Sequence, residues 1–396
     1  MTVREWFAGQ EVLLTGVTSD IGNAVLEKLL RSCPDIKAIS VILRSKNLRS
    51  SEDRIKDLLS SRGFERVKQE CPGAISRVRI FEGNLVYENL GLDDDQLARL
   101  RGLNVVIHAG GPHEELLDFC CNLPALKSAA VATSIFGNRG RITESVLNSK
   151  LPGIPLVMIR FPAIGPAAKE PIPGYTSVLK GATVLMIGAG YALGNPDSPA
   201  AILPVDIAAN TLIASAWDKG TRSYERAATV FSVPALGCTW RTLIENGCRA
   251  STEFPFPSFG IRGMTSRPRM HFLVVLLLEW LPSFLCDTFL VAVGGKPRMV
   301  KEYQHMRSML ETLEPVLSKS WTSDQRKIRA LNDRMTAMDR EDFYVQTDID
   351  LESYVLCSSA MATKLCMNKA NLTLIRNFKI AAMLGLAAVL YILLFL

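Results

Sequence analysis

Eight residues near the N-terminus have the types and spacing of a phosphate cradle. Thr15-Gly16-Val17-Thr18-Ser19-Asp20-Ile21-Gly22 follows the short apolar run EVLL and leads into apolar positions at helical spacing, Val25, Leu26, Leu29 and Leu30. In a dinucleotide fold the first glycine of such a loop allows the tight turn. A middle glycine lets the backbone approach the pyrophosphate, and the last permits close packing of helix on strand. Gly16 and Gly22 hold the outer roles, and Ser19 stands in the middle. Its Cβ should weaken nucleotide affinity without abolishing it, because its hydroxyl can donate a hydrogen bond. A second apolar run ends in Leu43-Arg44-Ser45-Lys46 with no acid. An acid there would read the ribose 2′-hydroxyl of NAD, whereas Arg44 and Lys46 offer cations to a 2′-phosphate, so the expected cofactor is NADPH.

Other chemistry is sparse. His113, His271 and His305 have no partners of the right type at metal-ligand spacing, so no metal site is expected. Nine scattered cysteines form no C-x-x-C pair, and their odd number fits reduced thiols. The net charge of +6 is small for 396 residues, and the basic residues neither cluster nor alternate with aromatics, so nucleic acid is not an expected partner.

The elements that must position the loop follow from hydrophobic pattern. Apolar runs at 11–16, 38–43, 78–81, 104–107 and 156–160, with helical stretches between them, predict a parallel, doubly wound Rossmann-type sheet with ligands at its C-terminal edge. Beyond about residue 235 the chain changes to loops rich in Pro and Ser, an apolar segment and a charged helical stretch from 296 to about 338. The expected domains are a nucleotide-binding half over 1–240, a helical domain over 241–375 and a membrane anchor over 376–396.

The mean hydropathy of +0.17 is high for a water-soluble body. Its source is concentrated in Ile380 to Leu396, seventeen residues with neither charge nor amide. At about 1.5 Å per residue they match a thin bilayer core, and they lack the polar stripe of a buried helix. Lys364, Lys369, Arg376 and Lys379 precede them, which by the positive-inside rule keeps the N-terminal body cytosolic. A tail-anchored protein is expected, with no signal peptide in the charged N-terminus. A second apolar stretch, 271–293, is interrupted by Glu279, Pro282 and Asp287 and is expected to form an amphipathic hairpin on a membrane or along an apolar cavity.

Beyond the loop, several segments together resemble the alcohol-forming fatty acyl-CoA reductases, the male-sterility-type extended branch of the short-chain dehydrogenase/reductases. They are LEKLLRSCPDIK (26–37), VILRSK (41–46), FEGNL (81–85), NVVIHAGG (104–111), LVMIRFPAIG (156–165), KEPIPGY (169–175), ILPVDIAANTLIASAW (202–217) and GGKPRMVKEYQHM (294–306). The resemblance implies NADPH-dependent reduction of a long-chain acyl-CoA to a fatty alcohol on a lipid membrane; the short tail with its four basic flanking residues suits the endoplasmic reticulum, lipid droplets or peroxisomes alike. The resemblance also places Asn84 by the adenine, Leu85 among the cofactor-binding residues and His108 next to the cofactor.

The same resemblance implies a proton-donating Tyr with its pKa lowered by a Lys four residues on, both on one helix face. None of the eight tyrosines has Lys at that spacing. Aligned back from LVMIRF, Phe136 takes the Tyr position and Gly140 the Lys position, ahead of a helix expected at 141–147. No catalytic residue is assigned. The stretch from His108 to Leu156 is also short for the family, so the sheet is expected to be truncated there. Either a compressed strand survives at 128–132, leaving Thr133 and Ser134 at its end as carbonyl contacts, or the strand is missing. The expected function is accordingly an impaired reductase. The alternatives are a non-catalytic relative that binds nucleotide or acyl chains, and an incomplete gene model of an active enzyme.

Overall fold

The inner strands of the central parallel sheet are buried nearly throughout, as strands covered on both faces are. A computed structural model describes residues 1–136, 151, 153–177, 182–187, 190–222, 227–254, 262–292, 294–297, 299–311, 313–317, 323 and 325–366. Gly140, the helix expected at 141–147 and the anchor expected at 376–396 lie outside these residues.

The strands in chain order are β1 (Glu11–Thr15), β2 (Ala38–Leu43), β3 (Val78–Glu82), β4 (Val105–His108), β5 (Ser128–Ser134), β6 (Leu156–Phe161), β7 (Ala163–Gly165), β8 (Tyr191–Leu193), β9 (Ile202–Pro204), β10 (Thr229–Ser232) and β11 (Gly263–Thr265). Seven of them form one sheet in the order β10-β6-β5-β4-β1-β2-β3, and every pairing in it is parallel. The order reverses between β1 and β4, the switch point at which doubly wound sheets open a crevice for ligands. The strand left open in the sequence is present: β5 pairs with β4 on one side and β6 on the other, from Ala129 opposite Leu156 to Ser134 opposite Phe161. The shortening between 108 and 156 therefore costs the sheet none of its order, and the reading that removed this strand is corrected. One strand the sequence reading omitted, β10, adds to the far edge beside β6.

The chain folds as two compact units. The first comprises Met1–Ser177, Ala201–Leu236 and Trp321–Asp348, and holds the large sheet. The helices Asp20–Ser32 and Val205–Thr221 pack on each other there, and both are buried over most of their length. The second comprises Val178–Ala200, Gly237–Ser320 and Ile349–Leu396, and holds the parallel pair β8 and β11 and a set of helices.

In the second unit the expected hairpin is replaced by one continuous helix, Pro268–Ala292, 25 residues long. Pro282 cannot donate a backbone bond, and its ring crowds the carbonyl four residues back. A π-helical turn at Leu276–Trp280 lies just upstream and absorbs this irregularity without reversing the chain. The two carboxylates that suggested an interruption point inward. Glu279 accepts from the Tyr191 amide at 2.6 Å and lies 3.7 Å from the Arg307 guanidinium. Asp287 accepts from the amides of Met299 and Val300, both at 2.9 Å, and so caps the next helix, Met299–Glu311.

Candidate nucleotide-binding site

The site is built where β1 and β4 end side by side. β1 closes at Thr15, and Gly16 turns the chain at φ +72°, a left-handed conformation that glycine adopts without penalty. A Cβ on Gly16 would stand 2.5 Å from the Gly110 carbonyl oxygen, just past β4, and one on Gly22 would stand 2.2 Å from the Gly16 carbonyl oxygen. Neither position has room for a side chain.

Ser19 has a role that its place in the motif did not suggest. It caps the helix Asp20–Ser32, its hydroxyl accepting from the Gly22 amide at 3.0 Å and donating to the Ala109 carbonyl at 3.0 Å. The hydroxyl proton expected to serve a phosphate is thus directed to β4, and the loop is stitched to the strand beside it. Asp20 opens the helix and accepts from the Ser177 hydroxyl at 2.5 Å. Thr18 is exposed and Ile21 is buried.

His108, the last residue of β4, is fully buried. Its Nε2 lies 3.2 Å from the Gly111 carbonyl and its Nδ1 lies 2.8 Å from the Thr15 hydroxyl. A carbonyl only accepts, so Nε2 carries the proton, and Thr15 donates to Nδ1. Burial pulls the imidazole pKa down to about 4, which keeps it neutral. His108 therefore ties β1 to β4 as a packed, hydrogen-bonded core histidine.

Arg44 is exposed just beyond β2, one strand over from the glycine loop. This corner holds an acid that the strand-end rule missed, because it comes from the neighbouring strand: Glu82, opposite Leu43 in β3. Its carboxylate accepts from the hydroxyls of Ser45 at 2.6 Å and Ser51 at 3.1 Å, bonds that hold its pKa below the ordinary value. Asn84 follows β3, its carboxamide oxygen accepting from the Val86 amide at 3.3 Å. Leu85 packs beside Gly111, within 3.6 Å of where a Cβ would project. The structure thus gathers Thr15, Gly16, Ser19, Gly22 and Leu85 around the β1–β4 crevice, and sets Arg44 and Asn84 at the ends of the adjoining strands.

The segment 168–177 clamps the same helix from the other side. Glu170 binds Lys28 at 2.6 Å and Arg31 at 3.1 Å, both on the nucleotide helix. Asp206 accepts from the amides of Ala168, Lys169 and Glu170 at 2.7 to 3.0 Å and from the Tyr344 hydroxyl. Burial together with the Asp206 carboxylate pushes the Tyr344 pKa well above its ordinary value, so this phenol is a structural donor. Nothing in local sequence pattern links these partners, which lie up to 142 residues apart.

At the end of β5, Thr133 donates to the Ile159 carbonyl at 3.3 Å, and the Ser134 hydroxyl accepts from the Phe136 amide at 3.1 Å. Among the described residues no group of three or more His, Cys, Asp or Glu side chains could hold a metal ion.

Two family models, each described as Male sterility protein, match this chain: an NAD-binding domain over residues 14–130 and a second domain over 278–369. Curated relatives extend the match across both. Fatty acyl-CoA reductase 1 of Mus musculus is 22% identical, and fatty acyl-CoA reductase wat of Drosophila melanogaster is 24% identical, each covering 87% of this chain and 82% of the relative. The chain belongs to the fatty acyl-CoA reductase family. The mouse alignment runs over 425 positions against a chain of 396 residues, so this family member has gaps where its relative has residues. Among solved structures, the reductase domain of a nonribosomal peptide synthetase from Mycobacterium tuberculosis matches with a TM-score of 0.58 at 15% identity, over 90% of this chain and 92% of that one. The PhqB reductase domain from Penicillium fellutanum matches at 0.53 and 14%, over 92% and 97%. These likenesses establish the fold. The glycine cradle lies within the matched NAD-binding domain, which supports a nicotinamide cofactor.

Proposed function

We propose that this family member binds NADPH in the β1–β4 crevice and a long-chain acyl-CoA at a lipid membrane, and that its reduction of the acyl group to a fatty alcohol is impaired. The observation that carries this is a mismatch: the cradle of Gly16, Gly22 and Gly110 is intact, while the sequence contains no Tyr-x-x-x-Lys. Thr15, Gly16, Thr18, Ser19, Asp20, Ile21 and Gly22 would border the pyrophosphate, Arg44 the 2′-phosphate, and Asn84 with Leu85 the adenine. The cofactor, when bound, supplies hydride. For this chain's own residues, the cradle excludes side chains so that backbone can approach phosphate, and the hydroxyls at the end of β5 are the groups left to orient a carbonyl. Phe136 has no proton to give. Losing a positioned acid slows such chemistry by about 10²- to 10⁴-fold, which equally supports a non-catalytic binder of nucleotide or acyl chains.

In this reading residues 1–240 are the reductase half, 241–375 the helical half and 376–396 a tail anchor holding the body on the cytosolic side of the endoplasmic reticulum, lipid droplets or peroxisomes. The test is a titration of the full chain in detergent with NADPH and NADH, followed by lipid analysis of expressing cells. Saturable NADPH binding, weakened about tenfold by Arg44→Ala with NADH unaffected, is the expected result, a change of about 1.4 kcal/mol. Fatty alcohol is expected at least about 10²-fold below that made by a relative with the intact pair. No saturable binding of either nucleotide sinks the nucleotide reading, and alcohol at the relative's rate sinks the impairment.

A further inference from the structure

The helix Pro268–Ala292 is amphipathic in an unusual sense, with its two carboxylates and Ser283 buried and most of its large apolar side chains exposed. Val275, Glu279, Ser283 and Asp287, spaced four apart, form the buried stripe. Each polar member of it is engaged: Glu279 with Tyr191 and Arg307, Ser283 with the Glu279 carbonyl at 2.8 Å, and Asp287 with Met299 and Val300. The other side presents Phe272, Leu273, Leu277, Phe284, Leu285 and Phe289, with the three phenylalanines exposing 62%, 62% and 60% of their surface. At about 1.5 Å per residue this ridge, from Phe272 to Phe289, runs roughly 26 Å. Such a continuous apolar patch marks an interaction surface.

Charge identifies the partner. Arg267 and Arg269 are exposed at one end of the helix, and Lys296 and Lys301 at the other. Between residues 262 and 301 the acidic residues are Glu279 and Asp287, both buried. An apolar face framed by cations and free of exposed acid is the pattern of a helix lying in an anionic lipid interface. The helix is long and apolar enough to cross a bilayer by length and composition. Crossing would carry Glu279, Arg307 and His271, joined by contacts of 3.7 and 3.3 Å, toward the hydrocarbon centre together with the helices packed on the buried stripe.

We propose that Pro268–Ala292 lies in the plane of a phospholipid membrane, its phenylalanine ridge in the outer acyl region and its flanking arginines and lysines on anionic headgroups. This contact shares its lipid class with the membrane reading above but is made by a different element from the C-terminal anchor. It is also independent of any reductase activity.

The test uses the full chain with photoreactive benzoyl-phenylalanine in place of Phe272, Phe284 or Phe289, and in place of the exposed Met338 of the other unit as a reference. The proteins are bound to phosphatidylcholine vesicles with and without phosphatidylserine, with deuterated lipid in the outer leaflet only, and adducts are identified by mass. The expected result is at least fivefold more lipid adduct at all three ridge positions than at Met338, all of it deuterated. With phosphatidylserine present, the combined Arg267→Gln, Arg269→Gln and Lys296→Gln variant should lower that yield at least twofold. If the C-terminal segment alone holds the protein on vesicles, the ridge yields no more lipid adduct than Met338, and the proposal falls. Crosslinks to a second copy or to residues 380–396 overturn it in favour of a protein-covered face. Deuterated adducts at one end and undeuterated ones at the other overturn the in-plane orientation.

Discussion

Ser19 shows how one side chain can be read correctly for its type and incompletely for its task. Spacing put it at the middle position of the loop, and chemistry suggested a hydroxyl for phosphate. The fold uses that hydroxyl as a helix cap and a tie to Ala109. Ser19→Ala should therefore destabilise the protein by about 1 kcal/mol, as N-cap deletions do, measured by urea denaturation. Ser19→Gly should cost only a few tenths of a kcal/mol and should tighten NADPH binding, because backbone can then approach the pyrophosphate. A glycine variant that binds more weakly would show that the tie to β4 matters more than the approach.

His108 makes a second prediction at the same scale. Its folded pKa of about 4 lies below the ordinary 6.5, so between those values the unfolded chain holds a proton that the folded one refuses. Stability from this group is complete above about pH 6.5 and is lost as pH falls toward 4, by an amount on the order of 3 kcal/mol. Denaturation midpoints recorded across that window should show the slope, and His108→Gln should flatten it.

At the scale of elements, legibility followed the range of the interactions concerned. Strands β1, β2, β4 and β6 announce themselves as short apolar runs because each is buried on both faces, and the edge strand β3 does so through Val78, Ile80 and Phe81. β5, SAAVATS, is built of small residues, and only its neighbours β4 and β6 define it as a strand. β10 is likewise four residues whose status depends on β6. Glu82 escaped a rule written along one strand because it reaches the corner from the next, and the Asp206 clamp escaped because it joins three distant segments. The 268–292 segment was misread for a related reason. Glu279 and Asp287 looked like breaks in an apolar run, yet both are buried polar anchors whose partners, Tyr191, Arg307, Met299 and Val300, come from elsewhere in the unit.

Asp287 offers the sharpest test at this scale. Asp287→Ala leaves two first-turn amides of the helix Met299–Glu311 without their acceptor, and should cost about 1 to 2 kcal/mol. Hydrogen exchange should accelerate at residues 299 to 303 before it does in the large sheet. Uniform acceleration throughout the chain would mean that the cap is not a local feature.

For the molecule as a whole, the excess apolarity has two addresses, the exposed ridge of Pro268–Ala292 and the segment 380–396. If both meet lipid they should do so with different strengths, since a helix in the interface holds less firmly than one inserted through the bilayer. Deleting 376–396 should convert the protein from resistant to extractable in alkaline carbonate, while leaving salt-sensitive binding to phosphatidylserine vesicles. Flotation assays of the two forms would show this, and a truncated form that ignores vesicles altogether would leave the anchor as the sole attachment.

The register of β5 against β6 has a consequence for repair. Thr133 lies opposite Arg160, and Ser134 opposite Phe161, so β5 and β6 are in register beside the crevice, while the sequence contains no Tyr-x-x-x-Lys. A cassette carrying Tyr-x-x-x-Lys on a helix, spliced from an active relative between residues 136 and 153, would be delivered to the C-terminal edge of a sheet that needs no rearrangement to receive it. Whether fatty alcohol then appears would measure how much of this family's catalysis resides in one replaceable block.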